Sequence, residues 1–245
     1  MNSVGIIGFG RFGKVLANIL QKGFSIKVYD LKSTGEFPDV DFVDLNNVLK
    51  EKVIFIAVPI RHFKKVISDI SSQISVGTTI IDVCSVKTHP VKIMEKYLPE
   101  NVGIIATHPM FGPDSFMSNN RPKMMMNDTR DLHNQFSFWR QYFNDQGIQV
   151  MELSPDQHDQ MAAKTQGVTH FLGRMLKEYG IRKTSIDTQG FLDLLDLVEQ
   201  TCNDTWELYT DLQLYNPYTE DMINQLKLAT ESLDNRLKEV QNVAT

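Results

Sequence analysis

The segment Gly8-Phe9-Gly10-Arg11-Phe12-Gly13 lies between an apolar stretch, residues 4–7, and a stretch with helical periodicity, residues 13–22. This glycine spacing between a strand and a helix is typical of a turn that binds a dinucleotide. The first glycine permits the tight turn, the second lets a pyrophosphate approach the backbone, and the third lets the helix pack closely on the strand. All six residues are therefore predicted to form a cofactor site. The alternative is a glycine-rich turn without a ligand.

An acidic residue, Asp30, closes the second predicted strand, 22 positions after Gly8. A carboxylate there accepts hydrogen bonds from the adenosine ribose hydroxyls. It would repel the 2′-phosphate of NADP by about 4 kcal/mol per charge pair at an effective dielectric near 20. NAD is therefore the expected cofactor, and NADP is the alternative because Lys32 offsets part of this repulsion. We also assign Val58 and Pro59, at the end of the third predicted strand, to the cofactor site.

Residues 3 to about 153 alternate short apolar runs with amphipathic helical stretches. Continuous apolar strands separated by helices indicate a parallel sheet covered on both faces. We predict strands at 4–7, 26–29, 53–58, 79–83 and 102–106. The first half is thus predicted to be a doubly wound α/β domain of the Rossmann type, residues 1–154.

Strand signals stop after Ser154-Pro155, and helical stretches follow at 156–179, 190–214 and from 220 onward. We predict an all-helical domain at 155–245 that contributes to substrate binding and dimerisation. Its last helix has apolar residues at steps of three and four, which form a stripe on one face. A homodimer through these helices is expected, since a small helical domain often completes its burial in a symmetric dimer. The alternative is that the stripes pack on one another within the chain. The stripe comprises Met222, Leu226, Ala229, Leu233, Leu237 and Val240.

Composition excludes several classes of protein. A hydrophobic content of 42% with 22% charged residues argues against extensive disorder. The net charge of −5 does not favour nucleic acid as the main partner. Cys84 and Cys202 are too few for a disulfide framework and have no zinc-type spacing. Since no signal peptide and no membrane-spanning stretch is predicted, we expect a cytoplasmic location.

Three further segments are rich in polar groups. Asp82-Val83-Cys84-Ser85-Val86-Lys87 and Thr107-His108-Pro109-Met110-Phe111-Gly112-Pro113-Asp114 each follow a predicted strand of the α/β half. Such sheets bind ligands beyond the carboxyl ends of their strands. The third segment contains His158-Asp159, with His170 twelve positions after His158 on the same predicted helix. Because this spacing exceeds three helical turns, we predict no metal site there.

Together with residues 8–13, these segments resemble the prephenate/arogenate dehydrogenase family, most of all its short single-function members that are similar to plant arogenate dehydrogenases. The resemblance runs from Val4 to about Leu237. It implies NAD(P)-dependent oxidative decarboxylation of a cyclohexadienol in tyrosine biosynthesis. A hydride leaves the ring carbon that carries the hydroxyl, and carbon dioxide departs as the ring becomes aromatic.

The resemblance also implies roles for individual residues. His108 matches the family histidine that accepts the hydroxyl proton, and Ser85 matches a serine that hydrogen-bonds the same hydroxyl and the nicotinamide. His170 matches a histidine of the substrate pocket, and Asp114 stands where many members have Glu. Lys87, Arg174 and Lys164 are candidates for holding the substrate carboxylates. His158 and Asp159 match a family pair, for which a structural role at the helix start is equally open.

One departure concerns substrate choice. Asp196 stands where many bacterial prephenate dehydrogenases have an Arg that holds the side-chain carboxylate of prephenate. Asp204 resembles an acidic position of plant-type arogenate dehydrogenases. A carboxylate pairs with the ammonium group that arogenate has and prephenate lacks. We therefore hypothesise that Asp204 selects arogenate, with Asp196 as the second candidate.

Two other functions stay open. One is a β-hydroxyacid or imine-type reductase, which has a similar two-domain construction but lacks the His-Pro segment. The other is a catalytically silent NAD-binding redox sensor, which would keep the three glycines but would not need Ser85 and His108 together.

Overall fold

The predicted strand–turn–helix unit opens the structure. A computed structural model describes residues 2–32, 37–112 and 121–244 of the chain. The strands are β1 (Ser3–Ile7), β2 (Ser25–Tyr29), β3 (Val40–Phe42), β4 (Val53–Ile56), β5 (Thr79–Asp82), β6 (Gly103–Pro109), β7 (Lys123–Arg130) and β8 (Gln149–Glu152). The helices of this half are α1 (Arg11–Leu20), α2 (Leu45–Val48), α3 (Ile60–Ile70), α4 (Thr88–Tyr97) and α5 (Gln135–Asp145).

The eight strands form one sheet in the order β3-β2-β1-β4-β5-β6-β7-β8. All neighbours are parallel except β6 and β7, which are antiparallel. The strand order reverses between β1 and β4, which defines the switch point where doubly wound sheets bind ligands. The predicted doubly wound α/β fold is confirmed. All four residues of β4 and of β5 are buried, as expected for strands covered on both faces.

Three strands were not predicted: β3, β7 and β8. In β7, Met124, Met125 and Met126 are fully buried, whereas residues 127–130 are polar and partly exposed. The sequence shows these methionines only as a short biased run, since an unbranched side chain carries no strong strand preference. β3 has three residues and no buried one, so it has no apolar pattern to recognise.

The core beneath β7 and β8 is aromatic. Trp139 and Phe143 of α5 are fully buried, and the Trp139 ring lies edge-on to Phe55 of β4 with centroids 5.0 Å apart. On the same helix, the Tyr142 hydroxyl donates to the Ile19 carbonyl at 2.8 Å. This helix is therefore tied to both the sheet and α1.

The chain divides into two compact units, Met1–His158 and Asp159–Thr245. The helices after the sheet are α6 (Pro155–Ala162), α7 (Val168–Tyr179), α8 (Gln189–Cys202), α9 (Trp206–Tyr215) and α10 (Thr219–Ala244). A π-helical segment, Ala163–Gly167, joins α6 to α7. The predicted all-helical second half is confirmed. The helix predicted at 190–214 is two helices, because the helical conformation breaks at Asn203-Asp204-Thr205. In the described part of the chain, no helix combines the length and apolar character needed to cross a membrane.

Candidate functional site

The glycine-rich turn after β1 has the geometry that a bound dinucleotide requires. Gly8 has φ of +99°, and a Cβ atom there would lie 2.4 Å from the Ala57 carbonyl oxygen. A Cβ on Gly13 would lie 2.5 Å from the Gly8 carbonyl oxygen. Gly10 has no neighbouring atom within 4 Å of its ideal Cβ position. The first and third glycines are thus required by packing, while the second leaves open space beside the backbone.

Asp30 is joined to this turn by hydrogen bonds. Its Oδ2 accepts from the Phe9 amide at 2.7 Å, and its Oδ1 accepts from the Lys32 amide at 2.8 Å. The Phe9 ring is buried edge-on against Phe37 and Phe42, so its contribution to a ligand site comes from the backbone. The carboxylate is therefore fixed at the end of β2, beside the turn.

The other predicted cofactor residues surround the start of α1. Gly10 and Arg11 are exposed, and Phe12 is partly buried against Phe111. Val58 adjoins Gly8, and Pro59 precedes the first residue of α3. The first turn of α1 has no acidic residue and its N-cap makes no side-chain hydrogen bond, which suits an anionic group. The residues present fit a dinucleotide.

A buried ion pair lies at the carboxyl end of β5 and is hydrogen-bonded to β6. The Lys87 ammonium pairs with Asp82 and also donates to the Thr107 carbonyl. Asp82 accepts from the Cys84 amide at 3.1 Å and from the Thr107 amide at 3.2 Å. All three side chains of this network, Asp82, Lys87 and Thr107, are fully buried. The contacts of Lys87 support a positioning role, and its predicted role in holding substrate carboxylates stays a prediction.

His108 lies next to this network on β6 and hydrogen-bonds His158 of α6. Its Nδ1 is 2.7 Å from Nε2 of His158, and both residues are only 2% exposed. Burial holds the pKa of His108 well below 6.5, and His158 and the Lys87 charge lower it further. His108 is therefore an uncharged imidazole near neutral pH. The sequence alone does not decide the role of His158, because fifty positions separate it from its partner.

Ser85 lies in the segment after β5, one strand away from His108. Asp82 of β5 is in register with Ala106 of β6, so the segments that follow them leave the same edge of the sheet side by side. Ser85 is partly buried. The sheet thus brings the two predicted catalytic segments to one edge, next to the switch point.

In the helical unit, three predicted substrate residues form a cluster. His170 and Arg174 lie one turn apart on α7, and an Arg174 guanidinium nitrogen donates to the Asp204 carbonyl at 2.5 Å. Burial lowers the pKa of His170, Asp204 opposes this shift and Arg174 adds to it. The Arg174 guanidinium also lies over the rings of Trp206 and Tyr209, at 5.8 and 5.3 Å from their centroids. Neither aromatic residue is among those predicted from the sequence.

Other predicted residues lie apart from this cluster. Asp196 is exposed on α8, and Lys164 is exposed in the π-helical segment. Asp114 lies outside the described residues. Within the helical unit the buried Nδ1 of His170 and Nε of Arg174 have no hydrogen-bond partner, so both have donor or acceptor capacity for a ligand.

Comparisons with known proteins identify the family. Residues 36–135 match the family model "Prephenate dehydrogenase, nucleotide-binding domain", and residues 175–244 match "TYRAAT1-like, C-terminal domain". Arogenate dehydrogenase 2, chloroplastic, of Arabidopsis thaliana is 32% identical over 96% of this chain and 69% of its own length. Arogenate dehydrogenase 1, chloroplastic, of the same plant is 34% identical over 96% of this chain, which spans only 39% of that protein.

Solved structures share the fold. Prephenate dehydrogenase from A. aeolicus, in complex with hydroxyphenyl propionate and NAD⁺, superposes with a TM-score of 0.76 at 18% identity, over 98% of this chain and 92% of that one. Synechocystis arogenate dehydrogenase gives a TM-score of 0.70 at 20% identity, with the same coverage of both chains. The predicted resemblance is confirmed: this chain belongs to the prephenate/arogenate dehydrogenase family of NAD(P)-dependent oxidoreductases.

Proposed function

We propose that this chain catalyses the oxidative decarboxylation of arogenate, and less efficiently of prephenate, with NAD as the hydride acceptor. The observation that carries the proposal is the buried, uncharged imidazole of His108 at the carboxyl end of β6. An unprotonated imidazole is suited to accept a proton from a hydroxyl group. The family relationship supplies the class of substrate.

In this mechanism His108 accepts the proton of the ring hydroxyl through the ring nitrogen that does not contact His158. Ser85 hydrogen-bonds the same hydroxyl and orients it. When bound, the nicotinamide supplies the acceptor for the hydride of the ring carbinol. Loss of carbon dioxide leaves its electron pair to the resulting dienone, which becomes an aromatic phenolate. The phenolate oxygen then takes back the proton held by His108, so the products are the phenol, carbon dioxide and the reduced nicotinamide. General-base assistance of this kind typically contributes about 10²–10⁴-fold in rate.

The helical unit contains side chains that are proposed to bind charged groups of the substrate. Arg174 is held by the Asp204 carbonyl and by two aromatic rings, which orients its guanidinium for a carboxylate. His170 lies one helical turn away. The Asp204 carboxylate raises the pKa of His170, and its negative charge is proposed to pair with an ammonium group of the substrate. This arrangement favours arogenate, which has that ammonium.

The finer features of the cofactor and the assembly are also proposals. Asp30 lies beside the glycine turn, where its charge favours NAD over NADP. Homologues whose names specify NADP occur in Schizosaccharomyces pombe and Saccharomyces cerevisiae. We propose a homodimer through the C-terminal helices and a cytoplasmic location, although the Arabidopsis relatives are named as chloroplastic.

The test is turnover of purified protein. Arogenate and prephenate are each mixed with NAD and with NADP, and reduction of the nicotinamide is followed by its absorbance. We expect the fastest reduction with arogenate and NAD. If all four mixtures stay flat while the protein binds NAD, the dehydrogenase proposal fails and the silent redox sensor is favoured. Faster NADPH oxidation with an imine or β-ketoacid would instead favour the reductase.

A further inference from the structure

The contact between His108 and His158 joins two buried imidazole rings. Nδ1 of His108 and Nε2 of His158 are 2.7 Å apart, and the ring planes are nearly perpendicular at 82° with centroids 4.9 Å apart. Both side chains are excluded from solvent. One ring nitrogen of each residue is therefore committed to the other, and only one proton can lie between the two nitrogens.

This commitment decides what the second nitrogen of His108 can do. A neutral imidazole has one protonated and one bare nitrogen, and the hydrogen bond of one fixes the state of the other. If His108 donates through Nδ1–H, its Nε2 is bare and can accept a proton. If His158 donates instead, Nε2 of His108 carries a proton and cannot act as a base.

The surroundings keep His108 in the neutral form. Its ability to accept a proton at Nε2 therefore depends on which of its two ring nitrogens carries the hydrogen. Among the described residues, the charged or titratable groups that act on its pKa are His158 from α6 and the Lys87 ammonium from the segment after β5. Lys87 is itself held by Asp82 and by the Thr107 carbonyl, next to His108 in sequence. A cation in this position disfavours a second positive charge on His108 and leaves a neutral ring with a bare nitrogen.

We propose that His158 is a positioning residue that accepts a hydrogen bond from Nδ1–H of His108 and so keeps Nε2 of His108 free to act as the base. This inference rests on the proposed role of His108 in the reaction. As His108 takes the substrate proton, its Nδ1–H still donates to His158, which stabilises the imidazolium without itself contacting the substrate. His158 also fixes the direction in which the His108 ring points.

The direct test reads the tautomer by nitrogen NMR. In the full chain with ¹⁵N-labelled histidines, long-range ¹H–¹⁵N spectra at pH 7.5 distinguish a protonated from a bare ring nitrogen, and His108→Gln identifies the His108 signals. We expect Nδ1 of His108 to be protonated and Nε2 to be bare. A proton on Nε2 of His108 in the unaltered protein overturns the proposal, and this reading needs no substrate and no variant of His158.

Variants of His158 separate its positioning role from a merely structural one. His158→Leu removes the acceptor, and we expect a mixture of His108 tautomers and a fall in kcat of about 10²-fold with KM changed less than about threefold. In His158→Gln the carboxamide oxygen takes the place of Nε2, and we expect the tautomer and most of kcat to be retained. The glutamine variant keeps the test valid if the leucine variant fails to fold.

His133 offers a matched control of the same residue type. It follows Arg130, which is opposite Ile104 at the far end of β6 from His108. His133→Leu is expected to leave kcat and the His108 spectrum unchanged. If His158→Leu folds and keeps full kcat, the positioning role is overturned while the dehydrogenase function stands. If no substrate turns over in the unaltered protein, the proposed function fails, and the spectrum alone decides the tautomer.

Discussion

Burial changes His108 from a group that ordinarily titrates near pH 6.5 into one that stays uncharged well below that pH. The lowered pKa means that the base is still unprotonated where an exposed histidine would be charged. We therefore predict that kcat/KM keeps its plateau as the pH falls through 6.5, and that His108→Gln lowers kcat by about 10²–10⁴-fold at pH 7.5. Steady-state kinetics with arogenate and NAD between pH 5 and 9 checks both statements.

The same shift has a consequence for stability with a definite sign. Below about pH 6.5 the unfolded chain protonates this histidine and the folded chain does not, so the folded state loses stability as the pH falls further. The free energy of unfolding in urea should therefore decrease between pH 7.5 and 5.5, and less so in His108→Gln. The kinetic measurement gives a second check. If kcat/KM falls with a midpoint near pH 6.5 on the acid side, and this fall disappears in His108→Gln, the assigned direction of the pKa shift is contradicted.

Asp204 is where substrate preference is expected to reside. If its carboxylate pairs with the arogenate ammonium, Asp204→Asn should lower kcat/KM for arogenate about 10–100-fold, because one hydrogen bond between charged groups is lost. The value for prephenate should change little. Asp196→Asn on the exposed face of α8 is the matched control and should leave the ratio of the two substrates unchanged. Assays of both variants with both substrates decide between the two acidic positions. An unaltered ratio in Asp204→Asn removes this residue from substrate selection.

At the scale of elements, one ion pair joins β5 to the segment that follows it, and both of its members hydrogen-bond the Thr107 backbone of β6. Because Asp82 and Lys87 are fully buried, replacing only Lys87 leaves an uncompensated carboxylate. We predict that Lys87→Met lowers the free energy of unfolding by about 3–5 kcal/mol, and that adding Asp82→Leu recovers part of the loss. Urea unfolding followed by circular dichroism measures both. Lys65→Met, in an exposed pair with Asp69 on α3, is the control and should have a much smaller effect.

The turn before α1 allows a variant that separates binding from folding. Because Gly10 has open space around it and an ordinary φ of −70°, Gly10→Ala should leave the urea midpoint almost unchanged. The added methyl group occupies the approach to the backbone, so we predict that the dissociation constant for NAD rises at least about tenfold. Titration of intrinsic fluorescence with NAD measures this without turnover. Gly13→Ala, which would clash with the Gly8 carbonyl, should instead lose stability.

The elements also show what the sequence could predict. The glycine turn and the central strands are recognisable because each depends on residues next to one another. The three methionines of β7 are buried by pairing with β6 and β8, which no local pattern reveals. The same holds for the site: His108 was identified by its motif, but the role of His158 depends on a partner fifty positions away. The Thr107 carbonyl likewise becomes a partner of Lys87 only once β5 and β6 are adjacent, and the predicted role of Lys87 in substrate binding stays a prediction.

At the scale of the whole molecule, α10 has two unlike halves. Met222 near its start is buried, and its side chain lies close to Gly167 of the π-helical segment. Farther along the same helix, Leu233, Leu237 and Val240 are 59%, 65% and 67% exposed. These three residues continue the predicted apolar stripe beyond the part that packs within its own unit. A contiguous apolar face of this kind on an otherwise charged helix is typical of a protein–protein contact.

A second copy of the chain fits this face best, because a two-fold axis brings the same apolar stripe against itself. We predict that the protein sediments at twice the 28.0 kDa mass of one chain at micromolar concentration. The double variant Leu233→Glu, Leu237→Glu places two like charges on each side of the axis and should sediment as a monomer with its α-helical signal retained. Val76→Glu, an equally exposed apolar residue before β5, is the control and should remain dimeric. A double variant that sediments like the unaltered protein would show that the dimer, if formed, uses another surface.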